Sequence, residues 1–341
     1  MPEPEIPDAI GQLAEARRDA RAARGFDEAD RLKAEIEAAG WRVTDIGAGY
    51  RLDPAHPADL VVGGRTRHGW SGSIPSRLAE QATAAASIVL VATNRPDDVE
   101  RALAGLAGAV GDDVQRIVVA NAPSAEQEAL LVEWEARFAA ERATGPGAEA
   151  VPAAEIVWTA DRFGVAAALN AGIRRATGGV VILLDGTVEP IGDFVGPLVR
   201  ALGDARVAVA GPWGLLSDDQ RHYEAAAGGA AAGGAGVAAI DLAAMAFRRA
   251  DYRDRGPLDE SFMAPVLLDA WWSLVLRDEG GERAPRRAVI VDVPLVRHER
   301  APRLGARAAE DAKTERRYRY RLIDRFGERR DLAVRGGSPD R

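Results

Sequence analysis

The chain has 341 residues, enough for one large α/β domain with a substantial core and a smaller appendage. It contains no cysteine, which excludes disulfides, a thiol nucleophile and a cysteine zinc site, and its four histidines argue against a histidine metal cluster. A formal net charge of −8 argues against a whole-protein nucleic-acid binder while allowing a local basic face.

The opening residues, MPEPEIPDAIG, carry neither a cationic start nor an apolar segment, so no secretory signal is expected and the cytoplasm is the expected compartment, with peripheral contact to a membrane left open. Residues 8–24 and 26–39 have helical periodicity and meet at Gly25, which predicts a helical hairpin. Gly40 leads into a strand pair, WRVTDI and YRLD, around the glycine turn at 47–49. Residues 1–55 are thus a hairpin module. Residues 56–84, rich in Gly, Ser, Pro and Arg with weak periodicity, are read as a linker.

From Ser87 strands and helices alternate: SIVLVAT, a helix DDVERALAGLAGAV, QRIVVAN, and a long helix with Ser124 and Gln127 spaced as a capping box. A Gly/Pro-rich connection at 144–153 precedes EIVWTA, the helix and strand of GVAAALNAGIRRATGGVVILLDGT (164–187), a helix near 192–203, and the strand RVAVAG. This alternation predicts an α/β domain over 85–303, a mostly parallel sheet with helices on both faces. The uncharged run at 225–240 is mostly Ala and Gly, too poor in bulky apolar residues for a transmembrane segment, and is read as a flexible loop that could close over an acceptor. A long strand VAAIDLAAMAFRR, the segment GPLDESF, a tryptophan-bearing helix over 267–278 and a strand AVIVDVPLVRHE follow. Residues 304–341 are read as a helix to about Phe326 and a disordered tail. Neither a G-x-G-x-x-G after the first strand nor a G-x-x-x-x-G-K-[ST] occurs, so ordinary dinucleotide and ATPase readings lose ground.

The candidate chemistry sits at strand ends. Asp185 closes the apolar run VVILL, where an unpaired buried acid would cost several kcal/mol, so it is solvated, paired or bound to a metal; the alternative is a turn role ahead of Thr187 and Pro190. Asp269 is flanked by Leu267, Leu268, Trp271 and Trp272, which would raise its pKa and suit a general base, or it caps its helix with the tryptophans as core. His298 follows a buried strand and could reach a phosphate or a metal, or is a surface histidine. Thr93, Asn94 and Arg95 form a polar corner that could hold a nucleotide, with Arg95 supplying charge for a diphosphate, or simply end a strand. Asn121 could read a base edge or form a turn before Pro123.

Taken in order, SIVLVATNRPDDVERAL, the 164–187 segment, AMAFRRADYRDRGPLDESF, LLDAWWSLVLRDEG and PLVRHE resemble the inverting glycosyltransferases of family 2, of GT-A fold, over roughly residues 87–300. The resemblance implies a nucleoside diphosphate sugar donor, a hydroxyl acceptor whose identity stays open, with lipid-linked and polysaccharide acceptors among the candidates, and Mg²⁺ or Mn²⁺ between the diphosphate and the acidic motif. Asp185 matches the first acid of that motif. Thr93, Arg95 and Asn121 fall where the family holds the nucleoside, and Arg162 and Asn170 near the phosphates. Asp269 matches the general base, and His298 a position that reaches the diphosphate or metal. The chain departs from the pattern: Gly186 and Thr187 stand where further acids are common, Ala120 precedes Asn121 without an acid, and Trp271 replaces another acid. Thr187 is therefore placed with the donor-binding residues, Glu189 could compensate for the lost acid, and a catalytically weakened binding module is the alternative.

The amino-terminal residues AEARRDARAARGFDEADRLKAEIEAAGWRVTDIGAGYRL resemble the small carboxyl-terminal module of cysteinyl-tRNA synthetases, which contacts tRNA. Arg17, Arg18, Arg21 and Arg24 share much of one helical face, compatible with RNA phosphates; a solvated face paired with Asp and Glu is the favoured alternative.

Overall fold

A computed structural model describes residues 6–47, 49–92, 94–111, 113–144, 154–226, 236–299 and 308–334. The chain divides into two compact units, Met1–Trp70 and Ser71–Arg341.

In the first unit, α1 (Asp8–Ala22) and α2 (Phe26–Ala38) form the expected hairpin, followed by β1 (Trp41–Ile46) antiparallel to β2 (Gly49–Pro54). Ile10, Ala14, Ile36 and Val43 make its core. The turn places Arg24, not Gly25, in the left-handed region at φ 60°, and Gly25 becomes the residue that enters α2. Arg17 is buried and donates two hydrogen bonds to Asp45, at 2.7 and 3.1 Å, while Arg21 lies 3.5 Å from the same carboxylate and Arg18 pairs with Asp19. Three of the four arginines are thus engaged by acids of their own unit, which leaves little of the basic stripe for RNA phosphates.

The linker expected over 56–84 is not featureless. It holds an antiparallel pair, β3 (Leu60–Val62) and β4 (Arg65–His68), turning through Gly63 and Gly64, both at positive φ. Strands of three and four residues are too short to register as a period. Residues beyond Trp70 are strapped to the second unit: Ile74 is buried, Arg77 N–H donates to the Arg174 carbonyl, and Thr83 N–H to that of Thr177.

The second unit is an α/β fold, as expected. Its elements are β5 (Ala84–Ala92), α3 (Pro96–Ala109), β6 (Val114–Ala120), α4 (Ala125–Thr144), β7 (Ala154–Thr159), α5 (Val165–Ile173), β8 (Gly178–Leu184), β9 (Val188–Pro190), α6 (Val195–Leu202), β10 (Val207–Gly211), β11 (Gly214–Leu216) and β12 (Glu224–Ala225). They continue with β13 (Gly236–Val237), β14 (Ala239–Ile240), β15 (Ala244–Arg248), α7 (Arg249–Arg255), α8 (Leu268–Arg277), β16 (Arg287–Ile290), β17 (Leu295–Arg297) and α9 (Ala308–Phe326). The main sheet runs β13-β16-β10-β15-β8-β5-β6-β7, parallel from β8 to β7 and between β10 and β16. β15 lies antiparallel between β8 and β10. The chain leaves β5 towards β6 and β7 and returns on the other side as β8, so a crevice opens at the carboxyl ends of β5 and β8.

Alternation along the strands supplies two cores: Ile88 and Leu90 face one helical layer, Val89 the other. α5 passes so close to the sheet that a Cβ on Gly172 would sit 2.4 Å from Val89 Cγ1. The capping box on α4 is half made: Gln127 N–H donates to Ser124 Oγ at 3.3 Å, but the Gln127 side-chain Oε1 accepts from Arg95 N–H instead.

Three expectations are corrected. The strand expected across VAAIDLAAMAFRR is broken into β13, β14 and β15, and between β14 and β15 Asp241 turns the chain by accepting Ala243 N–H on Oδ1 at 2.8 Å. The strand expected across AVIVDVPLVRHE is two, and β17 leaves the main sheet to pair with β9. The carboxyl-terminal segment is part of the domain: Tyr318, Leu322, Phe326 and Leu332 are buried, Tyr318 Oη accepts Met263 N–H at 2.7 Å, and Val334 N–H donates to the Ser217 carbonyl. The Gly/Ala loop at 227–235 and the tail at 335–341 lie outside the described residues.

Asn170 on α5 ties down the turn after α7. Its amide donates to the Leu258 carbonyl and to Glu260, both at 2.9 Å, and its oxygen accepts from Leu258 N–H and Tyr252 Oη–H. Asn170 and its bonds to Leu258 and Tyr252 are buried, so Asn170→Ala strands several partners and is expected to destabilise the second unit by about 2–4 kcal/mol, read as a lower urea midpoint of the full chain.

Candidate active site

β8 is apolar and buried to its last residue, Leu184, and Asp185 follows where the strand meets the crevice. Asp185 N–H donates to the Ala243 carbonyl at 2.9 Å, continuing the pairing with β15 by one residue. Its Oδ1 accepts from Thr187 N–H at 2.9 Å and Thr187 Oγ1–H at 2.6 Å, an Asx turn that fixes the carboxylate. The chain then enters β9, whose partner β17 brings in His298: its N–H donates to the Thr187 carbonyl, and its Nε2 lies 2.6 Å from Glu189 Oε2.

Asp269 arrives from the other side, in the first turn of α8, where the helix dipole favours an acid. The turn before it places Leu267 at φ 60°, an uncommon conformation for a residue with a bulky side chain. The two tryptophans after Asp269 are core: Trp272 is in edge contact with Phe247 and Tyr252, and Trp271 packs against Phe262 and Phe326.

These elements enclose a cleft of about 760 Å³ whose polar lining is Asp185, Thr187, Asp241, Asp269, Arg297, His298 and Glu299, beside the apolar Pro265 and Val266. Asp185 and Asp269, 84 positions apart in the sequence (269 minus 185), open onto the same space. Burial pushes the Asp269 carboxyl up to about 7, and the Asp241 charge pushes the same way, against the pull of the Ala270 N–H and Arg297. Asp241 is itself held by Arg297, with Nη1 to Oδ2 at 2.7 Å.

Of the expected residues, the structure brings Asp185, Thr187, Asp269 and His298 into the lining of one cleft. The remaining expected residues are not in its lining. Asn121 spends its amide on Phe163, donating to the carbonyl at 3.1 Å and accepting the N–H at 2.8 Å, so the side chain acts as a loop clamp rather than a reader of a base edge. Asn170 is consumed by the buried bonds described above, which removes it from the phosphates. Arg95 stands at the entry of α3 and Arg162 is exposed, neither lining this opening, and Thr93 lies outside the described residues. Asp241 and Arg297 were not expected. The signal for Asp241 was an acid inside a run otherwise read as a buried strand.

The second unit has a GT-A fold. Residues 87–227 match the family model Glycosyl transferase family 2, a span that includes Asp185 and Thr187 and ends before Asp241, Asp269 and His298. Among solved structures, the chain is similar to GalNAc-T7 with UDP, GalNAc and Mn²⁺, at 13% identity and TM-score 0.50, over 70% of this chain and 48% of that one. It is also similar to the mannosyltransferase PcManGT from Pyrobaculum calidifontis in complex with GDP-Man and Mn²⁺, at 17% identity and TM-score 0.45, over 72% of this chain and 64% of that one. A separate stretch of 54 residues is 46% identical to a cysteine–tRNA ligase of Opitutus terrae, covering 16% of this chain and 12% of the ligase. The chain thus spans under two thirds of each of these proteins. Among the described residues no helix is long and apolar enough to cross a membrane.

The raised pKa of Asp269 carries a stability consequence. With a folded value near 7 against an ordinary 3.8, the folded state holds the proton more tightly than the unfolded one, so stability falls as pH rises from about 4 to about 7 and stays low above. Asp269→Asn is expected to raise the urea midpoint at pH 8, by up to about 4 kcal/mol of stability, and to change it little at pH 4.

Proposed function

We propose that this protein transfers a sugar from a nucleoside diphosphate sugar to a hydroxyl acceptor with inversion at the anomeric carbon. The observation that carries the proposal is the shared cleft: a carboxylate fixed at the end of β8 and a second, at about 7, on the first turn of α8. Two acids with different environments can take different roles. Asp269 would accept the proton of the acceptor hydroxyl as its oxygen forms the new bond to the anomeric carbon. The bond to the diphosphate oxygen breaks on the opposite face, and its electron pair leaves with the nucleoside diphosphate. A base near 7 is matched to this task at neutral pH.

For a divalent ion, the donor set is a carboxylate on Asp185 and an imidazole on His298. The Glu189 carboxylate can only accept, which in the neutral ring places the proton on Nε2 and leaves Nδ1 as the donor atom. Among the described residues no three acids or histidines are grouped as a cage, so two protein donors fit an ion that completes its shell with diphosphate oxygens and water. Bound there, Mg²⁺ or Mn²⁺ would offset the charge that grows on the leaving diphosphate. The protein's own part is to hold Asp185 through Thr187 and His298 through Glu189.

Calorimetric titration with UDP- and GDP-sugars, with and without Mn²⁺, tests the donor: binding of at least one is expected, and no heat with any of them would overturn the proposal. Mn²⁺ titrated without nucleotide should bind at least about tenfold more weakly than with UDP present. For the base, kcat/KM for transfer should rise about tenfold per pH unit below about 7 and level off above it, because protonated Asp269 cannot accept a proton. Asp269→Asn should lower kcat about 10²- to 10⁴-fold, and unchanged turnover would remove Asp269 from the mechanism.

A further inference from the structure

Arg297 is the one permanently charged cation lining the cleft among the described residues, and it shares that lining with Asp185, Asp241, Asp269 and Glu299. It is the last residue of β17, one position before His298. Its Nη1 is held by Asp241 Oδ2 at 2.7 Å, and the guanidinium stands over the Trp213 ring, 5.5 Å from the centroid. Asp241 is itself fixed, by the Ala243 N–H on its Oδ1 and by its own N–H to the Trp213 carbonyl. The arginine is therefore gripped at one nitrogen and on one face, yet its side chain remains 49% exposed. Among the described residues Nε and Nη2 have no protein acceptor, which leaves donors in the planar fork that suits phosphoryl oxygens.

An ion pair at a cleft rim is ordinarily worth little. The surroundings of this one give it a further role, since a polyanion entering a space lined by four carboxyl groups meets repulsion unless a cation receives it. We propose that Arg297, preset by Asp241 and Trp213, binds the diphosphate of the nucleotide donor and neutralises the leaving group as it departs. The inference rests on the reading of this cleft as the donor site. The electron pair of the breaking bond moves onto the diphosphate oxygen, and the guanidinium keeps its protons throughout. Arg297 acts in this way whether or not a divalent ion accompanies the donor.

The test is titration of the full chain with UDP and with GDP, in EDTA and in Mn²⁺, comparing wild type, Arg297→Gln and Arg297→Lys in each arm where the wild type binds. Arg297→Gln is expected to weaken nucleoside diphosphate binding about tenfold to a hundredfold, most in EDTA, with an unchanged thermal midpoint as the control for folding. Arg297→Lys keeps the charge without the fork and should fall between the two. Diphosphate binding by Arg297→Gln as tight as by the wild type, in both arms, overturns the role of Arg297 and leaves the donor reading standing. Absence of nucleoside diphosphate binding by the wild type in both arms overturns the donor reading, and the role of Arg297 with it.

Discussion

The hydrogen bond from Asp185 N–H to the Ala243 carbonyl is the constraint from which the cleft is built. β15 enters the sheet antiparallel beside β8, with Ala244 opposite Leu184, so the next pair outwards is Ala243 and Asp185. There the chain must leave the sheet, and the carboxylate of Asp241 ends it by capturing Ala243 N–H. One register thus delivers two acids to the same opening. A slip of one residue would exchange the faces of every side chain on β15 and withdraw the buried Met245 and Phe247 from the core, so register is strongly specified by apolar burial.

The electrostatics follow from that crowding. Asp185, Asp241, Asp269 and Glu299 line a single cleft, and each must be solvated, hydrogen-bonded or neutralised. Asp185 is hydrogen-bonded by Thr187, and Asp241 is paired with Arg297. Asp269 has the Ala270 N–H at 2.8 Å, which is too little to offset burial, so its proton is retained towards neutrality. The base is set by what its neighbours have already taken: Arg297, which would otherwise pull the Asp269 carboxyl down further, is shared with Asp241.

The layered α/β fold was legible because its strands are long apolar runs separated by helices with clear periods. VVILL ending on Asp185 and QRIVVAN were read to within two residues at each end. The failures are short or interrupted elements. β3, β13 and β14 are two or three residues long, below any period, and β17 was fused to β16 because Val293, Pro294 and Leu295 sustain an apolar run across a change of sheet. Fusing β13 to β15 concealed the turn at Asp241 and with it Arg297, its partner. Asn121 and Asn170 were misplaced for another reason. A side-chain amide can satisfy a backbone or a ligand equally well, and the sequence does not say which groups lie within reach.

Trp271 shows how a residue outside the cleft shapes its wall. A residue at that position is two beyond Asp269 on α8, turned away from the cleft, and here it is buried to 5% among Phe262, Phe326 and the guanidinium of Arg325, 5.1 Å from its ring. Phe326 and Arg325 come from α9, which also holds the 263–264 backbone through Tyr318 Oη. The two residues that follow, Pro265 and Val266, form the apolar wall of the cleft beside Asp269. The indole docks α9, with the guanidinium groups of Arg321 and Arg325 at 5.8 and 5.1 Å from its ring, and so fixes the wall. The carboxyl-terminal helix, which contributes no side chain to the lining among the described residues, therefore reaches the site through Trp271.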